Sequence, residues 1–210
     1  MKVKSVVALV LACVFGVVAA GAAGAKAPKP TKKPAAAKPK FDARFECTKV
    51  APAAVFSSLV GGWGGTYGLK NRLDNRATGG GYSDCNYTQS GGFPSSATAD
   101  GPAIVTILYG TPALDYYKRD HAAAVEGVRC DKLKAGGDTS PDPRLCGPVP
   151  VTGLGDQAYE ANDYVALLRG KVFLQVSLYS IPDPQTGSAL PPADLLVSVA
   201  KGLLARLPRM

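Results

Sequence analysis

The chain has 210 residues and a formal net charge of +8, and that charge is confined to its start. Lys2 and Lys4 lie in the first four residues, Lys26, Lys29, Lys32, Lys33, Lys38, Lys40 and Arg44 face only Asp42 over residues 26–44, and residues 45–210 balance 15 basic against 15 acidic residues. A neutral region of about 165 residues fits one domain, and its neutrality argues against the basic face a nucleic-acid-binding domain needs.

The first element is a leader. Two lysines precede Ser5–Ala25, a stretch of 21 residues without a charge that ends in Ala22-Ala23-Gly24-Ala25. A basic start, an apolar run and small residues at the end make a secretory signal peptide over residues 1–25. Two other readings stay open. The run is long enough to span a bilayer uncleaved, and Val10-Leu11-Ala12-Cys13 is an imperfect lipobox that would place a lipid on Cys13. Residues 26–44 follow as a disordered Lys/Pro/Ala tether, because residues 26–40 hold no aliphatic side chain larger than Ala to offset ordering entropy. Its prolines favour an extended spacer. Its charge suits contact with anionic lipid or wall polymer.

The domain is expected over residues 45–210. A helix is predicted over Ala51–Leu59, with Pro52 in its first turn and Gly61-Gly62 as its stop. Trp63–Arg72 reads as a Gly-rich loop leading into a strand, Asn75–Gly81 as a turn, Tyr82–Thr88 as a strand and Ala103–Tyr109 as a buried strand. Thr111 and Pro112 open a second helix, with Leu114, Tyr117, His121, Ala124, Val125 and Val128 on its apolar side. A long loop over residues 131–155 precedes strands Gln157–Ala161, Tyr164–Arg169 and Lys171–Ser180. In the last, Val172, Leu174, Val176 and Leu178 face opposite to Phe173, Gln175, Ser177 and Tyr179. Pro191-Pro192 open a final helix with a stripe of Leu195, Leu196, Val199, Ala200, Leu203, Leu204 and Leu207. Hairpin-length links argue an antiparallel sheet. The order α-β-β-β-α-β-β-β-α then gives an α+β sandwich of helices on a mostly antiparallel sheet.

Four cysteines lie in the domain, Cys47, Cys85, Cys130 and Cys146, with spacings of 38, 45 and 16 residues and a single histidine, His121, in the chain. These spacings and the lone histidine argue disulfides over zinc. We expect Cys47–Cys85, tying the first domain residues to a strand, and Cys130–Cys146, closing a Gly/Asp/Ser/Pro loop.

Several residues resemble a known pattern: Glu46-Cys47, Cys85-Asn86-Tyr87, Gly153-Leu154-Gly155-Asp156-Gln157-Ala158-Tyr159, the alternating strand pair and the terminal Ala200-Lys201-Gly202-Leu203-Leu204-Ala205-Arg206-Leu207. The chain resembles a family of secreted and lipid-anchored actinobacterial cell-envelope proteins of unknown function. Related envelope proteins, and the extracellular sensor domain of the PknH-type kinase, use disulfide-tied α/β sandwiches, some likened to the PsbP extrinsic protein of photosystem II. The resemblance implies a PsbP-like sandwich and an exported location, and it brings no catalytic residues. The imperfect lipobox and the long basic tether depart from the lipid-anchored members.

No GxSxG, HExxH or Walker loop is present. Gly61, Gly62, Gly64, Gly65 and Gly79–Gly81 lack dinucleotide spacing and read as turns. His121 reads as a packed or boundary residue, and Asp156 as a turn-bonding residue. The remaining candidates for ligand binding are Trp63, Tyr67, Tyr82 and Phe93, aromatics in Gly-rich connections that can stack on sugars, peptides or acyl chains. The expected function is a non-enzymatic, cofactor-free exported binding or sensor module. Its partner would be a small molecule, glycan, lipid or protein of the envelope, and no nucleic acid. The alternative is an envelope hydrolase or transferase with an unrecognised site.

Overall fold

The computed structural model describes residues 40–61, 66–77, 79–90, 103–126, 135–137, 142–178 and 190–210. The leader with Cys13, nearly all of the tether, Trp63, Phe93, Val128, Cys130 and Tyr179 lie outside the described residues. Residues Lys38–Met210 form one compact unit.

The fold is α+β. Its elements are α1 (Cys47–Val50), α2 (Ala53–Val60), β1 (Thr66–Ala77), β2 (Gly80–Ser90), β3 (Ala103–Gly110), α3 (Pro112–Glu126), β4 (Val149–Pro150), β5 (Gln157–Ala161), β6 (Tyr164–Arg169), β7 (Val172–Leu178) and α4 (Ala193–Leu204). The strands form one antiparallel sheet in the order β1-β2-β3-β7-β6-β5-β4. Two meanders, β1-β2-β3 and β4-β5-β6-β7, therefore meet at the β3–β7 pair, and α3 lies between the two meanders in sequence.

Tight turns explain the meanders. Ala161 pairs with Tyr164 across a two-residue turn in which Asn162 takes φ 51°, and Arg169 pairs with Val172 across Gly170 at φ 58°. Both residue types reach the left-handed region at low cost, which two-residue hairpins require. Asp156 locks the second turn, since the Gly170 N–H donates to its Oδ2 at 2.6 Å. At the same end of the strands, where the Gly110 N–H donates to the Lys171 carbonyl at 2.8 Å, Gly80 and Gly110 pair face to face. A Cβ on Gly80 would overlap the Tyr109 carbonyl, so the close approach of β2 and β3 requires glycine there.

Period-two alternation splits the sheet into two cores. On one face Val105, Ile107, Val165, Leu167, Val172, Leu174, Val176 and Leu178 meet Phe45, Val50 and Phe56 and the α4 residues Leu196, Val199, Ala200 and Leu203. On the other, Leu108, Leu168, Phe173, Ala161 and Ala166 meet Ala113, Tyr117 and Ala124 of α3. The result is three layers, with the sheet in the middle.

Several expectations differ from this arrangement. The strand β1 already begins at Thr66 and runs to Ala77, where a loop and a turn are expected. A short extra strand, β4, pairs with β5 inside the expected long loop. Helix α3 is rotated from its predicted face. Ala113, Tyr117 and Ala124 are buried, whereas Leu114 is 40% and Val125 is 50% exposed. Phe173 packs on Tyr116 and Tyr117 beneath the helix, and the small Ala113 and Ala124 are buried in the same cluster. The chain also enters the fold upstream of the expected start. Phe41 packs edge-on against Tyr109 at 5.7 Å, and the Asp42 N–H donates to the Tyr109 hydroxyl at 2.7 Å.

Cys47 is bonded to Cys85, as expected. Cys146 is also disulfide-bonded, and its expected partner, Cys130, lies outside the described residues.

Candidate functional site

Among the described residues, the α3 side of the sheet is covered unevenly. Residues in register across antiparallel neighbours share a face, so rows of side chains run across the strands. The row Tyr82–Leu108–Phe173–Leu168 lies beneath α3 and is mostly apolar. The next row reads Leu73–Asp84–Thr106–Gln175–Ala166–Tyr159, and the one after it Asn71–Asn86–Ile104–Ser177–Tyr164. Asp84, Thr106, Gln175, Asn86, Ser177 and Tyr164 are only partly buried. They form a polar shelf beside the helix.

Helix α3 supplies the wall of that shelf. Tyr116 and Asp120 stand four residues apart and so lie on one side of the helix. The Tyr116 ring tilts onto Phe173 at 4.9 Å, and the Arg119 guanidinium sits 5.7 Å from the Tyr116 ring centre. Tyr116, Arg119 and Asp120 line a depression of about 240 Å³. The Tyr159 hydroxyl donates to Asp120 Oδ2 at 2.5 Å, and the Thr106 hydroxyl donates to Asp84 Oδ1 at 2.7 Å.

Electrostatics ties these groups together. Burial raises the pKa of Asp120, opposed by the Tyr159 hydrogen bond and by the charge of His121. Burial, and after it the Asp120 bond and charge, raise the Tyr159 hydroxyl far above the usual phenol range. Tyr164 is pushed up to about 12 by burial and then by the Asp120 charge. The Tyr116 hydroxyl is raised by burial first, then by the charges of Asp120 and Asp84. Both carboxylates therefore act on one ring, with Arg119 as the positive group beside them.

Of the aromatics singled out in the sequence, Tyr82 reaches this face, half-buried against the second core. Tyr67 does not. It is 3% exposed on the opposite face, edge-on to Phe56 at 5.4 Å, with its N–H donating to Ser57 Oγ at 2.9 Å. It fills the core and is not a ligand contact. His121, expected as a packed or boundary residue, is exposed, with its ring edge-on to Tyr159 at 4.8 Å. Sequence reasoning missed Asp84, Thr106, Tyr116, Asp120, Tyr159, Tyr164 and Gln175. A signal existed in β7, where Gln175 and Ser177 interrupt the face that Phe173 begins.

A second polar group lies on the α4 side. Glu160 is 6% exposed, and its Oε1 has no hydrogen-bond partner among the described residues. Arg144, 8% exposed, donates to the Pro191 carbonyl at 2.8 Å and to Asp142 at 2.7 Å. Among the described residues no group of three or more His, Cys, Asp or Glu side chains could hold a metal. No helix there is long and apolar enough to cross a membrane.

Comparison with family models, curated proteins and solved structures finds no match to this chain.

Proposed function

We propose that this chain is an exported, non-enzymatic binding or sensor module of a cell envelope, and that the polar shelf beside α3 is its ligand site. The observation that carries this reading is a sheet face that, among the described residues, α3 covers only in part. Small-ligand sites combine aromatic surface with a few placed polar groups, and the shelf has both while the opposite face is a closed core. The Cys47–Cys85 disulfide fits an oxidising compartment. A signal peptide over residues 1–25 and a spacer from residue 26 to the start of the fold at Phe41 would deliver the domain there and hold it away from a surface, with Cys13 as an alternative lipid anchor. Kinship with PsbP-like envelope sandwiches belongs to the same proposal. Helices on both faces of an antiparallel sheet support it.

The test uses thermal midpoints of the full chain with soluble polysaccharide, peptide and lipid fractions from bacterial envelopes. One fraction should raise the midpoint of the wild type and leave Thr106→Arg unmoved, since the arginine fills the shelf. The ligand should be recovered chemically unchanged. A ligand recovered cleaved or transferred would turn the reading to an envelope hydrolase or transferase. Equal shifts in wild type and variant would remove the shelf as the site.

A further inference from the structure

We propose that the ligand of the shelf is a neutral saccharide, with one sugar ring laid on Tyr116 and its neighbours bonded along the Asp84–Thr106–Gln175 row. The inference rests on the reading of the shelf as a binding site and names the class that the site fits.

Three observations select this class. The first is the alternation of groups. Asp84, Thr106 and Gln175 occupy facing positions on β2, β3 and β7, so their backbones are spaced by about 4.8 Å. They present a carboxylate, a hydroxyl and an amide in turn. Adjacent sugar hydroxyls each donate and accept, and the row offers partners for both, since the Thr106 proton goes to Asp84 Oδ1 and leaves the Thr106 oxygen as an acceptor, while the Gln175 amide both donates and accepts. The second is the ring. A pyranose has one face of C–H groups, which stacks on an aromatic side chain whose polar tip stays wet. Tyr116, half-buried, lines a depression of about 240 Å³ with Arg119 and Asp120. That volume lies below the ~300 Å³ at which pockets enclose a drug-sized molecule, so it suits one ring of a chain that continues along the sheet.

The third observation is charge. Asp84 lies in the row itself and Asp120 lines the depression, and two carboxylates there disfavour phosphate or any anionic headgroup. A free cation would seek the Tyr116 ring face, and Arg119 already sits 5.7 Å from its centre. A neutral, hydroxyl-rich ligand is repelled by neither the carboxylates nor Arg119, and it stacks on the part of the Tyr116 ring that Arg119 does not cover. Asp120 is also fixed before the ligand arrives, because Tyr159 holds one of its oxygens at 2.5 Å. A pre-positioned acceptor lowers the ordering cost of binding.

The experiment is an NMR titration of the full chain with chitotetraose, cellotetraose and mannotetraose, and separately with tetramethylammonium chloride and inorganic phosphate. We expect at least one saccharide to move the resonances of Thr106, Gln175 and Tyr116. Gln175→Ala and Tyr116→Ala should each weaken it about tenfold, the equivalent of ~1.4 kcal/mol, while Tyr116→Phe, which keeps the ring, should stay within about threefold of the wild type. Gln175 is only partly buried and belongs to neither core, so Gln175→Ala serves if Tyr116→Ala folds poorly. If tetramethylammonium or phosphate moves these resonances and no saccharide does, the shelf is a binding site of another class and the saccharide assignment fails. If no probe moves them, the saccharide assignment fails together with the shelf. Saccharide shifts elsewhere on the sheet that survive both alanine variants would also overturn it.

Discussion

Glu160 shows how much one side chain can cost. Its strand neighbours Ala158 and Ala161 are buried, and so is Glu160, with Oε1 lacking a partner among the described residues. Burial raises its pKa above the ordinary value of 4.5; the Arg144 charge opposes that rise, while Asp142 and Asp194 add to it. The folded state therefore holds this proton more tightly than the unfolded chain. Stability is full while both states are protonated, below 4.5, and falls as pH rises through the raised folded value. Glu160→Gln removes the ionisation and keeps the shape. We expect it to raise the thermal midpoint at neutral pH, by an amount within the ~1–3 kcal/mol that an unpaired buried polar group costs. The advantage should vanish below pH 4.5. Denaturation of both proteins across that range checks it. A constant difference at every pH would mean that the glutamate is already paired when folded.

At the scale of elements, α4 closes the larger core. Leu196, Val199, Ala200 and Leu203 are fully buried, whereas Lys201 points outward. The helix is clasped at its end, where the Arg169 guanidinium donates to the Leu204 and Leu207 carbonyls at 3.0 Å and Arg206 donates to the Val50 carbonyl at 2.8 Å. Leu203→Ala should therefore cost ~2–5 kcal/mol, the range for a truncated core leucine. Lys201→Ala should stay within ~0.5 kcal/mol. Urea unfolding of the two variants separates them, and similar midpoints would show that the stripe is not what holds the helix. This helix was legible in the sequence because its apolar side chains are large and its period unbroken. The β6–β7 hairpin was legible for a related reason, since strict alternation and Gly170 leave little choice. Helix α3 was not. Its inward side carries Tyr117 against Phe173 on the sheet face below, with Ala113 in and Leu114 out, a matter of tertiary fit that one segment's hydrophobicity does not contain. The shelf was hidden for the same reason. Asp84, Thr106 and Gln175 are far apart in sequence, and only the pairing of β2, β3 and β7 makes them a row. The pairing of the first disulfide was legible because Cys47 opens the domain and Cys85 lies in a strand that alternates cleanly.

For the molecule as a whole, that disulfide joins the start of the fold to its sheet. Cys47 and Cys85 are 38 residues apart and both fully buried. The same segment is held without the bond. Phe45 stacks on Tyr109 at 4.1 Å, Ser83 donates to the Phe45 carbonyl at 2.9 Å, Phe56 stacks on Tyr87 at 4.0 Å, and the Tyr87 hydroxyl donates to the Ala51 carbonyl. With so many native ties, replacing Cys47 and Cys85 by alanine should leave the folded arrangement in place. The loss should then come from the unfolded chain, which regains the freedom of a closed loop. For a loop of this length the chain-entropy account gives about 4 kcal/mol, a large share of the ~5–15 kcal/mol of a typical domain. A chain freed of the cross-link also exposes more surface when it unfolds, and the denaturant slope scales with that surface. We therefore expect the double alanine variant to show a native-like amide spectrum, a much lower urea midpoint and a steeper slope. A lower midpoint with an altered native spectrum would place the bond's effect in the folded state instead. The N-terminal segment would then depend on the disulfide for its position, and the non-covalent ties around Phe45 and Tyr87 would be its consequence.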